Sequence, residues 1–236
     1  MLRGPQSKVD PRGSARAPTR VRWPNRQVGV HPSTRITRRH GCHPGGCSMS
    51  MAEKAPFIVI SGLIGAGKST MTRQLSEHLG YTACYEPVKD NPYLEDFYQD
   101  MPRWTFPMQM HLLARRFRQH QEVLWGGKPV VLDRSIYEDT IFARMHRDDG
   151  LMDERDWQTY IDHFHVMQGF LRYPDVILYL RVTPEKALER INERARAEEQ
   201  GKVPLDYLKS LYEGYEEFVE EMKRYTVVVT VDWQDY

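Results

Sequence analysis

The run Gly62-Leu-Ile-Gly65-Ala-Gly67-Lys68-Ser69 narrows what this chain can become more than any other feature. It satisfies G-x-x-x-x-G-K-[ST]. It also stands between an apolar β-rich run, Phe57-Ile-Val-Ile60, and a stretch of helical character from about Lys68 to Leu79, the context in which the motif is meaningful. Glycines let the main chain curl until its N–H groups point inward at phosphate oxygens. The helix that follows adds partial positive charge at its first turn. Lys68 can reach β- and γ-phosphates, and the Ser69 hydroxyl can ligate Mg²⁺. The pattern predicts a nucleoside-triphosphate cradle built from Gly62, Leu63, Ile64, Gly65, Ala66, Gly67, Lys68, Ser69 and Thr70.

The rest of the chain after residue 50 alternates strand and helix signals. Tyr81–Tyr85, Pro129–Leu132 (ending at Asp133), Asp175–Val182 and Thr226–Val231 are further strand candidates. Short apolar runs of this kind suit parallel strands covered on both faces. Helical patterns fill the gaps, as with Phe106, Met110, Leu113, Phe117 and Leu124. Thr183-Pro184 reads as an N-cap followed by Pro at the first helical position. The expected fold is α/β, with a five-stranded, mostly parallel sheet flanked by helices.

Composition bears on the first fifty residues. Of 33 basic and 32 acidic residues, ten and one fall in 1–50, leaving 23 and 31 in 51–236. The body is therefore acidic, which argues against a nucleic-acid partner. Residues 1–50 hold a single aromatic, Trp23, and no hydrophobic period, so they are expected to form a disordered basic tail. A transit peptide, a basic arm for nucleic acid, and upstream sequence before a true start at Met49 or Met51 are the three explanations; the last is favoured. The domain proper is expected at 51–236. Cys42 and Cys47, near His40 and His43, have a spacing unlike the usual zinc pair, and Cys84 is expected as a buried small apolar residue. Cysteine usage fits a reducing cytosol, so cytoplasmic localisation is expected, with an organelle as the alternative if the tail is a transit peptide. No apolar run approaches the roughly 18 residues of a membrane helix, so no membrane partner is expected.

Binding a triphosphate leaves its use open. No N-K-x-D stretch for reading guanine occurs, and a motor would need a larger body, so a kinase for a small molecule remains. Further motifs narrow it. Glu86-Pro87 follows the second strand, and Asp133-Arg134-Ser135-Ile-Tyr137-Glu138-Asp139 follows the third. Arg194-x-Arg196-x-Glu198-Glu199-Gln200-Gly201 follows the helix after the fourth. With the phosphate loop, these four motifs in order resemble the deoxynucleoside kinase family over about residues 56–236, most like its bacterial deoxyadenosine/deoxyguanosine kinase branch.

The resemblance implies a P-loop kinase fold with a short lid, and transfer of the γ-phosphoryl of ATP to the 5′-hydroxyl of a deoxynucleoside, with Mg²⁺. Glu86 matches the general base and Arg134 the arginine at the reacting 5′-end; with Lys68 these two form the catalytic set, while Asp133 matches a Mg²⁺-directed carboxylate and with Ser69 forms the metal set. Arg194 and Arg196 match the lid arginines. Glu199 matches the lid acid on the sugar 3′-hydroxyl, and Tyr98 its tyrosine partner. Asp235 and Tyr236 resemble the loop that contacts the adenine of ATP.

For the base, Gln109, Leu112 and Arg116 share a helix face. Gln109 matches the glutamine whose amide pairs with the nucleobase, Phe142 a stacking position, and Arg116 and Asp139 a polar pair deep in the base pocket. Met108 stands where the family often has an aromatic, and Trp104 and Trp157 are further candidates for the lining. The charged pair implies deoxyadenosine, deoxyguanosine or deoxycytidine over thymidine. The alternatives are a nucleoside monophosphate kinase, which needs a cationic acceptor site, and a non-catalytic nucleotide-binding subunit. A homodimer or a pair of sister kinase subunits is implied by the resemblance.

Overall fold

The computed structural model describes residues 54–85, 91–194 and 203–235, with the side chain of Arg194 left out. The tail 1–50, Glu86, Arg196, Glu199 and Tyr236 lie outside the described residues. The elements run β1 (Phe57–Gly62), α1 (Lys68–Leu79), β2 (Thr82–Cys84), α2 (Leu94–Gln99), α3 (Met101–Gly126), β3 (Val130–Asp133), a 3₁₀ turn (Ile136–Glu138), α4 (Asp139–Asp148), α5 (Glu154–Gln168), β4 (Val176–Arg181), α6 (Pro184–Arg194), α7 (Leu205–Met222) and β5 (Val227–Asp232).

All five strands are parallel, in the order β2-β3-β1-β4-β5. β1 is central, with Val59 and Ile60 fully buried. After β1 the chain builds one side of the sheet through β2 and β3, then crosses to the other side for β4. The C-terminal ends of β1 and β3 therefore flank a crevice, the place where open α/β sheets bind ligands. Register fixes what faces it: Ile60 pairs with Asp133, so the strand-end carboxylate lies beside the start of the phosphate loop. Thr183 caps α6, its hydroxyl accepting from Lys186 N–H at 3.3 Å, with Pro184 as the first helical residue, as the sequence predicts.

Three expectations are corrected. Burial on both faces holds for β1 and β3 but not for β5, an edge strand whose Val227 and Val229 are exposed; its outer side has no neighbouring strand among the described residues. Cys84 is half-buried, because β2 forms the opposite edge. On α3, Leu113 of the apolar stripe is buried, but Phe106, Met110, Phe117 and Leu124 are half-covered. The face turned into the fold instead carries Thr105, Met108, Gln109, Arg116 and His120 beside Leu113.

Candidate active site

The loop between β1 and α1 has the geometry its glycines allow. Gly65 has φ +82°, and a Cβ there would sit 2.5 Å from the Ala187 carbonyl oxygen and 2.9 Å from Ile191 Cγ1. Helix α6 thus packs directly on the loop. Gly67, in the left-handed region, caps α1 without a side-chain hydrogen bond to the helix's first amides. Lys68 is buried and its ammonium donates to the Leu63 carbonyl at 2.8 Å, inside the curl that would take a phosphate chain. Ser69 Oγ donates to Asp133 Oδ2 at 2.5 Å. Asp133 is 3% exposed, and its Oδ1 has no hydrogen-bond partner among the described residues. An exposed Ser69 hydroxyl bonded to a buried carboxylate with an unsatisfied oxygen is a fitting ligand set for a small hard cation that takes its other ligands from water and phosphate.

Arg134 follows at once, with φ +65°, the one non-glycine residue with positive φ among the described residues. Such a conformation costs about 1–3 kcal/mol and persists where the surroundings impose it. Its N–H donates to the Ile60 carbonyl at 3.0 Å, and its guanidinium lies over the Phe142 ring at 4.8 Å. Behind it, Nη1 donates to the Tyr215 hydroxyl at 2.5 Å, and that hydroxyl donates to Glu138 Oε2 at 3.0 Å. Glu138 Oε1 in turn accepts from Ser135 N–H at 3.0 Å, completing a capping box.

Deeper, Arg116 of α3 forms a buried ion pair with Asp139 of α4. Gln109, 2% exposed, has its amide Nε2 3.3 Å from Nδ1 of His146. Burial holds His146 at a pKa of about 4, so the ring is neutral at physiological pH. Its ring lies against Phe97 at 5.6 Å. Tyr98, next to Phe97, is half-buried beside a cavity of about 360 Å³ that Glu95, Gln99 and Met101 also line.

The structure thus brings together the loop residues, Asp133, Arg134 and Phe142, and separately pairs Arg116 with Asp139. It does not place the two tryptophans alike. Trp157 is buried under the Arg147 guanidinium and against Tyr160, whereas Trp104 is half-buried against Tyr93. Asp235 is exposed, next to Gln234, whose carbonyl and that of Trp233 accept from Arg190 of α6 at 2.8 and 2.9 Å. Arg194 ends α6 and the backbone places it there alone.

Sequence reasoning missed Glu138, Tyr215, His146 and Arg190. Two carried signals: Ser135-x-x-Glu138 is a capping-box spacing, and Asp139, Phe142 and His146 recur at 3 and 4 along α4. Tyr215 carried none, since only the packing of α7 brings it to Arg134.

The deoxynucleoside kinase family model matches residues 58–235. A deoxyadenosine kinase of Dictyostelium discoideum is 45% identical over 193 residues, covering 82% of this chain and 78% of the relative. A deoxyadenosine/deoxycytidine kinase of Bacillus subtilis is 41% identical over 169 residues, covering 70% and 77%. The structure is similar to that of the M. mycoides deoxyadenosine kinase with bound dATP: TM-score 0.69, 34% identity, covering 76% of this chain and 92% of the other.

Proposed function

The chain belongs to the deoxynucleoside kinase family, and from that premise we propose that it moves the γ-phosphoryl of ATP to the 5′-hydroxyl of deoxyadenosine, deoxyguanosine or deoxycytidine, in nucleotide salvage. The observation that carries this reading is the meeting of the phosphate loop with Asp133 and Arg134 at one strand end, through the Ser69–Asp133 hydrogen bond.

Phosphoryl transfer asks a protein for positioning and for stabilisation of charge spread over the transferred oxygens. The loop amides hold the triphosphate, and Lys68 exchanges the Leu63 carbonyl for a phosphate oxygen. Glu86, two residues beyond the last residue of β2, takes the proton of the 5′-hydroxyl. Arg134 offsets charge on the moving group, and Arg194 and Arg196 add to it from the lid while excluding water. Glu199 and Tyr98 hold the sugar 3′-hydroxyl, and Asp235 and Tyr236 contact the adenine of ATP. Ser69 and Asp133 would hold Mg²⁺, which when bound neutralises phosphate charge.

Phe142 and Gln109 hold the base, with the Arg116–Asp139 pair behind it. A base bearing an exocyclic amine finds polar partners there, while a thymine methyl meets a buried ion pair. The substrates named for the Dictyostelium and Bacillus relatives support that preference. Initial rates with the four deoxynucleosides and their monophosphates test it. The expected result is 5′-monophosphate formation, with kcat/KM for thymidine lower by about 100-fold or more, on the order of 3 kcal/mol. Thymidine as the best substrate would overturn the base assignment, and phosphorylation of the monophosphates alone would favour the monophosphate kinase.

A homodimer through α3 and α5 is the assembly we infer; a pair of sister kinase subunits is the alternative. Support comes from the half-covered stripe of α3 and from three exposed apolar side chains: Trp125 at the end of α3, Val166 on α5, and Phe170 just beyond it. Cytoplasmic residence is supported by the sparse cysteine content.

A further inference from the structure

We propose that Tyr215 is a positioning residue for the reaction: its hydroxyl stands between Arg134 and Glu138 and fixes where the guanidinium lies for the transferring phosphoryl group. This rests on the reading of Arg134 as catalytic.

Arg134 and Glu138 are both almost fully buried, at 4% and 0% exposure. A buried cation four residues from a buried anion would ordinarily close into a direct charge-assisted pair near 2.8 Å. Here Nη1 and Oε2 stand 4.0 Å apart. The Tyr215 hydroxyl bridges them, accepting from Arg134 at 2.5 Å and donating to Glu138 at 3.0 Å. The carboxylate is therefore satisfied on both oxygens, by Tyr215 and by the Ser135 amide, without a tight pairing to the arginine. Bridging in this way sets the distance and direction of the guanidinium relative to the Glu138 carboxylate. The ring that carries the hydroxyl is fixed independently, stacked on Tyr179 at 6.0 Å and edge-on to Phe218 at 6.4 Å. Tyr215 lies on α7, whose first residue, Leu205, comes four positions after Gly201, the last residue of the lid motif. The hydroxyl therefore ties the helix beyond the lid to the arginine that meets the phosphoryl group.

Tyr215→Phe removes only the bridge and keeps the ring contacts. We expect kcat to fall about tenfold or more with deoxynucleoside KM within about twofold, because the lost interaction acts in the transition state. The same substitution in an Arg134→Ala background should change kcat by less than about twofold, since the group it positions is gone. Melting temperature and ATP binding separate this from unfolding. A kcat unchanged by Tyr215→Phe, with Arg134→Ala strongly impaired, would overturn the positioning role and leave Arg134 catalytic. An equal fall in both backgrounds would also overturn it, as would a fall matched by loss of folded protein. Full activity of Arg134→Ala would remove the premise and the proposal together.

Discussion

His120 and His146 are buried as neutral rings, each held at a pKa of about 4 because burial penalises the charged form. In the unfolded chain each returns to about 6.5. As pH falls from 6.5 toward 4, the unfolded state binds protons that the folded state refuses, so stability is complete above about 6.5 and is lost through that window. The two together cost on the order of 6 kcal/mol at full protonation. Urea unfolding at pH 7.5 and 5 should show this loss, and His120→Phe, which keeps the edge contacts to Phe57 and Tyr137, should flatten the slope. A pH-independent midpoint would contradict the burial argument. At this scale the sequence was informative where chemistry and spacing coincide: it singles out Lys68, Ser69 and Asp133, of which Ser69 bonds to Asp133, and Arg116 and Asp139, which pair with each other. Tyr215 was opaque, because its role depends on a tertiary approach with no local trace.

Among the elements, the contact of α6 with the phosphate loop sets the tightest constraint. Gly65→Ala combines a strained φ with a Cβ 2.5 Å from a backbone oxygen, which cannot give way as a side-chain tip would. The expected outcome is a loss of more than about 1 kcal/mol of stability and of roughly tenfold or more in ATP affinity, read by thermal unfolding and by titration calorimetry. Wild-type affinity would show that α6 yields at no cost. Element identity was legible because period and punctuation agree: α1 runs from Lys68 to Leu79, as glycines at 67 and 80 dictate. What failed was the facing of α3. Its apolar stripe reads as core, but the inner face carries Thr105, Gln109, Arg116 and His120 beside Leu113. Hydrophobicity alone cannot tell which apolar stripe turns inward.

The described residues build a central parallel sheet, with exposed apolar side chains on and just beyond α3 and α5. No helix among the described residues is long and apolar enough to cross a membrane. Light scattering should give about twice the 27.8 kDa chain mass, and Phe170→Asp should shift it toward one chain; a single chain at all concentrations would contradict the homodimer. β2 pairs Cys84 with Leu132, the neighbour of Asp133, and Glu86 follows Cys84 by two residues in the sequence. The decisive measurement is kcat of Glu86→Gln with ATP, Mg²⁺ and deoxyadenosine, alongside its ATP affinity. Removing a positioned general base predicts a fall of about 10²–10⁴-fold with ATP binding retained. A turnover rate equal to that of the unaltered protein would contradict the account.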